Sequence, residues 1–90
     1  MTTEKQPEQG AIERAVDARR LALAEYRAAI AARDTAYVVY QAADVPHAVA
    51  AFRRFLDSGG PVLDTAAAIR TAERALNRAR YALRAARSRS

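Results

Sequence analysis

From Ala11 to Ala43 the chain runs 33 residues without a glycine or a proline, and apolar side chains recur at alternating intervals of four and three. The positions are Ile12, Val16, Leu23, Tyr26, Ile30, Tyr37 and Tyr40, with Arg19 and Arg33 completing the register. That rhythm follows the turn of an α-helix and is incompatible with the two-residue period of a strand. It predicts one helix of about 50 Å at 1.5 Å per residue. Helices dominate the rest of the chain as well. Alanine, the strongest helix former and one that lets helix backbones come close, supplies 24 of the 90 residues.

The sequence also places the breaks. Residues 1–10 are polar, hold Pro7 and Gly10, and are expected to form a flexible arm. Asp44-Val45-Pro46 stops the first helix and starts a second, Asp44 standing as its cap and Pro46 in its first turn. This short helix spans about 46–56 and carries Val45, Val49, Phe52 and Leu56 on one face, with Phe55 at its edge. Asp57-Ser58-Gly59-Gly60-Pro61 is expected to end it, with the glycines in left-handed geometry. A third helix then covers about 62–87, and residues 88–90 form a loose tail. The expected architecture is one all-α domain over 11–87, a coiled-coil-like hairpin of two long helices joined by a short middle one.

The third helix has a seam of Ile69, Ala72, Leu76, Ala79, Leu83 and Ala86, which suits close antiparallel packing on the first. The first helix has a further stripe of Leu21, Ala28, Ala32 and Val39. One hairpin partner does not cover both stripes, so this second side is a candidate contact between copies. A chain of this length buries only about 60% of its unfolded surface, and association is a common remedy. Cysteine is absent, which excludes disulfides and thiolate metal sites as other sources of stability. Arg19 and Arg33 lie on the main seam. Their heads either reach water along packed stems or pair with Asp57, Asp64 or Glu73.

Charge is unevenly placed. Residues 1–45 carry six basic and seven acidic groups, whereas residues 46–90 carry nine and three. Seven arginines lie between Arg70 and Arg89. Arg70, Arg74, Arg78, Tyr81, Arg84 and Arg87 form a basic face suited to an acidic protein or to the phosphates of a nucleic acid. Binding through phosphates would be non-specific and weakened by salt. Arginine outnumbers lysine 14 to one, which together with the alanine bias suggests a GC-rich bacterial or phage genome.

Motifs for chemistry are sparse. His47, the single histidine, has no ligand at metal spacing and reads as a surface residue. Ser58-Gly59-Gly60 is too short for a phosphate-binding loop. No catalytic, metal or cofactor residue is therefore assigned. The order of a long, a short and a long helix is similar in layout to the all-helical chorismate mutases, intertwined dimers whose pocket cations hold a dicarboxylate. Arg14, Asp17, Arg27 and Arg33 are the residues that carry that likeness along the first helix. The chain departs from it by lacking a lysine late in that helix, by Arg53-Arg54 in the short helix, and by lacking a Gln or Glu near the end of the third. Small secreted hairpins of the WXG type share the outline too, but this chain has no tryptophan. No family is assigned on these grounds.

The functional expectation is a non-catalytic, self-associating structural or adaptor subunit of a bacterial or phage assembly. An arginine-rich nucleic-acid-binding protein comes second and a chorismate-mutase-like enzyme third. The partner is then the chain itself, another helical protein or nucleic acid. No run of 18 apolar residues exists to span a membrane, and the opening MTTEKQPEQG lacks an apolar signal core. A cytoplasmic location, or one in a particle assembled there, is expected.

Overall fold

The computed structural model describes residues 7–89, and every element among them is helical. The helices are α1 (Pro7–Ala42), α2 (Val45–Asp57) and α3 (Gly59–Arg89). Helix α1 begins four residues earlier than its apolar rhythm suggests. Residues 7–10, expected in the arm, form its first turn, because Pro7 stands where a proline is already shaped for a helix and lacks only an N–H that has no partner there. Residues 1–6 of that arm lie outside the described residues. Ser88 and Arg89, expected in the tail, continue α3, while Ser90 lies outside the described residues.

Asp44 does occupy the cap position before α2, with extended backbone at φ −77°, ψ 170°. Its carboxylate makes no cap bond and instead meets the ring of His47. The Asp44 carbonyl accepts the His47 N–H at 3.0 Å.

The largest correction concerns Asp57-Ser58-Gly59-Gly60-Pro61. No glycine among the described residues has positive φ, and α3 starts at Gly59 directly after Ser58. Ser58 itself is right-handed helical at φ −68°, ψ −13°. The proline explains the small break: its ring lacks an N–H and crowds the carbonyl four residues back, that of Asp57. Thus α2 and α3 are consecutive pieces of one bent arm.

Three cross-arm pairs fix how that arm lies on α1. Arg19 meets Glu73, Tyr37 meets Phe55, and Tyr40 meets Phe52. The residue numbers of each pair add to 92, which is the signature of an antiparallel hairpin with one register from end to end. The molecule measures 69 × 25 × 12 Å. At 1.5 Å per residue the second arm alone accounts for about 68 Å of the length. Two helices side by side give the width, and one helix diameter gives the thickness.

Small residues hold the arms together. Ala15, Ala22, Ala29 and Ala36 recur every seventh residue on α1, with Ala43 just past its end, and the first three are buried. Ala51, Ser58, Thr65, Ala72, Ala79 and Ala86 do the same along the second arm, with Ala51, Ala72 and Ala79 buried. A strict repeat of seven keeps one seam facing its partner along a left-handed supercoil. Beside these columns run the larger side chains, Val16, Leu23 and Ile30 on α1 and Val62, Ile69, Leu76 and Leu83 on α3. Of these only Val62 and Leu76 are buried, since a single layer leaves the others half open.

A compact chain of this length would have a radius of gyration of about 12 Å; here it is 20.4 Å. Its accessible surface is 7089 Å², where about 5,200 Å² is usual for this mass.

The tightness of the alanine seam is testable. Ala22→Leu places bulk where the arms touch and is expected to cost about 1–3 kcal/mol. Ala24→Leu, on an exposed position of the same helix, should stay within about 0.5 kcal/mol. Thermal unfolding followed by circular dichroism compares the two. Equal melting temperatures would show that the arms do not meet at Ala22.

Candidate interaction surfaces

A layer one helix thick has two flat sides, and the two differ. On one side the alanine columns floor a shallow groove along the hairpin. Its middle is lined by Ala18, Leu21, Ala22 and Glu25 from α1 and by Asp64, Ala67, Ala68, Thr71, Ala72 and Ala75 from α3. It continues over Ala11, Arg14, Ala15, Ala75, Arg78 and Ala79 toward the open end. A separate hollow near the turn is lined by Val39, Ala42, Ala43, His47, Ala50 and Ala51.

The stripe expected to join copies is exposed throughout. Leu21 is 61% and Val39 48% accessible, and Ala28 and Ala32 are open as well. Leu21 borders this groove and Val39 the hollow near the turn, both beside the second arm. They therefore extend the alanine side of the hairpin and do not form a separate side of α1 turned away from its partner, as the sequence suggested.

The other flat side carries the large residues and the ion pair. Arg19 Nε donates to Glu73 Oε1 at 3.4 Å, both side chains half exposed. Of the three acids considered for Arg19 the structure selects Glu73, and the pair stands at the solvent edge of the seam. Arg80 shares this corner with Leu76 and Asn77. Arg33 is half-buried on the same register without a comparable pair.

The sequence left one surface unread. Most of the apolar face of α2 points away from the hairpin, and only Phe52, at its edge, also packs on Tyr40 of α1. Val45 is 89%, Val49 71%, Phe52 43% and Leu56 57% exposed, and Leu63 of α3 follows at 71%. Helix α2 instead turns Ala48, Ala51 and Phe55 toward α1. The tilted ring pairs, at 5.2 and 5.3 Å between centroids, fix that orientation. The amphipathic pattern was visible in the sequence, but the direction in which it points depends on which face the two aromatic pairs occupy.

The arginine face is exposed too: Arg70, Arg74, Arg78, Tyr81, Arg84 and Arg87 are all open to solvent on α3, with Arg78 at the edge of the alanine groove. The charge is confined to the open end of the hairpin. From Arg70 to Arg89 there are seven arginines and one glutamate, whereas residues 26–69 hold four arginines balanced by four aspartates. One end of the rod is therefore cationic, and the other is neutral and apolar.

The residues behind the chorismate-mutase likeness do not converge. Arg14, Asp17, Arg27 and Arg33 occupy four different positions of the seven-residue repeat on one helix, so they point in four directions. Among the described residues no group of three or more His, Cys, Asp or Glu is placed to hold a metal ion. No helix among them is long and apolar enough to cross a membrane.

The Arg19–Glu73 pair checks the antiparallel register. A half-exposed pair contributes about 0.2–1 kcal/mol. Arg19→Glu and Glu73→Arg should each lower the melting temperature, and the double swap should recover most of the loss. Strictly additive losses in the double-mutant cycle would show that the two residues do not meet.

No family model, no curated protein and no solved structure matches the chain.

Proposed function

We propose that this chain is a non-catalytic, self-associating helical subunit, structural or adaptor in role, of a bacterial or phage assembly. The observation that carries the reading is the single layer. At 12 Å the hairpin has no second layer to cover either flat side, while stable domains bury an apolar face against another layer. Its groove is floored by alanines and edged by exposed Leu21, and exposed Val39 edges the hollow near the turn. Helices of another copy fit such a surface, because small side chains permit close approach without a deep pocket.

A second reading rests on the cationic open end. Seven exposed arginines in the last turns of one helix, with Tyr81 among them, suit phosphates of a nucleic acid. The two readings are compatible, since of these seven arginines only Arg78 lines the alanine groove.

Light scattering on a sizing column, with absorbance at 260 and 280 nm, separates them. Self-association predicts a mass of two or more chains that persists in high salt. Nucleic-acid binding predicts excess 260 nm absorbance that falls as salt rises, and loss of retention when Arg74, Arg78 and Arg84 become Glu. A single-chain mass at high micromolar concentration, without nucleic acid, would refute both. Leu21→Glu with Val39→Glu tests the alanine side directly: an unchanged mass would remove it from the assembly.

A further inference from the structure

We infer that the outward stripe of α2 and the start of α3 is an antiparallel dimer contact with a second copy of this chain, an inference that rests on self-association and adds a contact beside the alanine groove. The stripe is Val45, Val49, Phe52, Leu56, Gly59 and Leu63. Its spacing of four, three, four, three and four residues is that of a coiled-coil seam. It is separate from the alanine groove and lies on the side of the large residues.

The surface is large enough. Scaled by roughly 150–200 Å² for a free side chain of this size, the five exposed apolar residues present about 500 Å² on one copy. That is near the upper end of patches on ordinary monomers, about 300–600 Å². Two such stripes laid together remove about 1,000 Å², the threshold for a specific interface.

No close contact inside the single chain requires the glycine in the stripe. Gly59 is helical, without positive φ, and a Cβ added there would meet nothing within 4 Å. Gly60 beside it is the same. Pro61 is by itself sufficient to break the helix at Ser58. What a missing side chain still provides is room for another chain to approach.

The stripe is symmetric about position 54, so a second copy running the opposite way matches it position for position. Val45 then lies beside Leu63 of the second copy, Phe52 beside its Leu56, and Val49 over the gap at its Gly59. This is the self-matching of a two-fold interface. Charge selects the antiparallel direction. It sends the two arginine-rich ends to opposite ends of the dimer, whereas a parallel pair would set them side by side. The half of the molecule that meets its copy is the half with balanced charge.

The absence of cysteine makes the test clean. Val45→Cys and Leu63→Cys are made in separate full-length chains, oxidised alone and then mixed, and run without reductant. Positions 45 and 63 are about 27 Å apart along one arm, beyond the 4.4–6.8 Å that a disulfide allows between Cα atoms. A covalent dimer in the mixture, with little in either chain alone, is the expected result. Crosslinking within each chain alone would indicate a parallel pair and overturn the inference.

Val49→Glu with Leu56→Glu should raise the dissociation constant about 100-fold or more, because it places carboxylates in an apolar contact. Retained circular dichroism confirms that the hairpin still forms. If the unmodified chain assembles but neither this variant nor the cysteine mixture responds, the stripe is not the contact, while self-association stands. If the unmodified chain is monomeric, self-association itself fails and the contact with it.

Discussion

The close approach of two columns of small side chains is the contact on which the rest of the structure depends. Alanines every seventh residue on one arm meet alanine, serine and threonine at the same spacing on the other. Small residues contribute little apolar area each, so the seam is long where a compact domain would be deep. Its length sets the shape of the molecule. A seam that stays in one plane for its full extent builds a ribbon of two helices and leaves both flat sides to solvent. The surface excess and the exposed leucines and valines follow from that geometry.

The same seam explains why the Gly-Gly-Pro sequence bends the chain without turning it. The break at Ser58 interrupts backbone hydrogen bonding, but the column passes from Ala51 through Ser58 to Thr65 without losing its count of seven. Packing against α1 on both sides of the break keeps the two pieces in line. Helix termination by glycine needs a left-handed residue, and here the tertiary register leaves no room for the change in direction that such a residue produces. Local turn chemistry and the long-range seam conflict at this point, and the seam prevails.

Much of the fold was legible in the residues. The three-four rhythm from Ile12 to Tyr40 and the Ile69-to-Leu83 seam identify the helices and the faces that meet. The alanine column beside that rhythm does not stand out in the sequence as the tightest part of the contact, because an alanine in an alanine-rich chain carries no signal by itself. Only its recurrence at seven, matched by a column on the other arm, distinguishes Ala22 or Ala29 from Ala24 or Ala31. The candidate surfaces were legible in part. Leu21 and Val39 stand out as surplus apolar residues, but their place on the alanine side depends on the hairpin. The Val45-to-Leu56 face was visible as amphipathic, yet sequence alone gives no reason for it to point outward. That orientation is decided by Tyr37 and Tyr40 engaging Phe55 and Phe52 across the turn.

Those two ring pairs also set an order of assembly for the hairpin. Tyr40 and Phe52 are 12 residues apart in the chain, whereas Arg19 and Glu73 are 54 apart. Closing the shorter loop costs about 1.3 kcal/mol less in chain entropy, and the aromatic pairs offer the largest side chains as the first contacts. Once they meet, each further turn of the seam adds contacts between segments already brought close. The hairpin therefore closes from its neutral, apolar end toward its arginine-rich end, much as a zip is drawn. Mutual repulsion among the arginines is deferred until most of the seam is in place to oppose it.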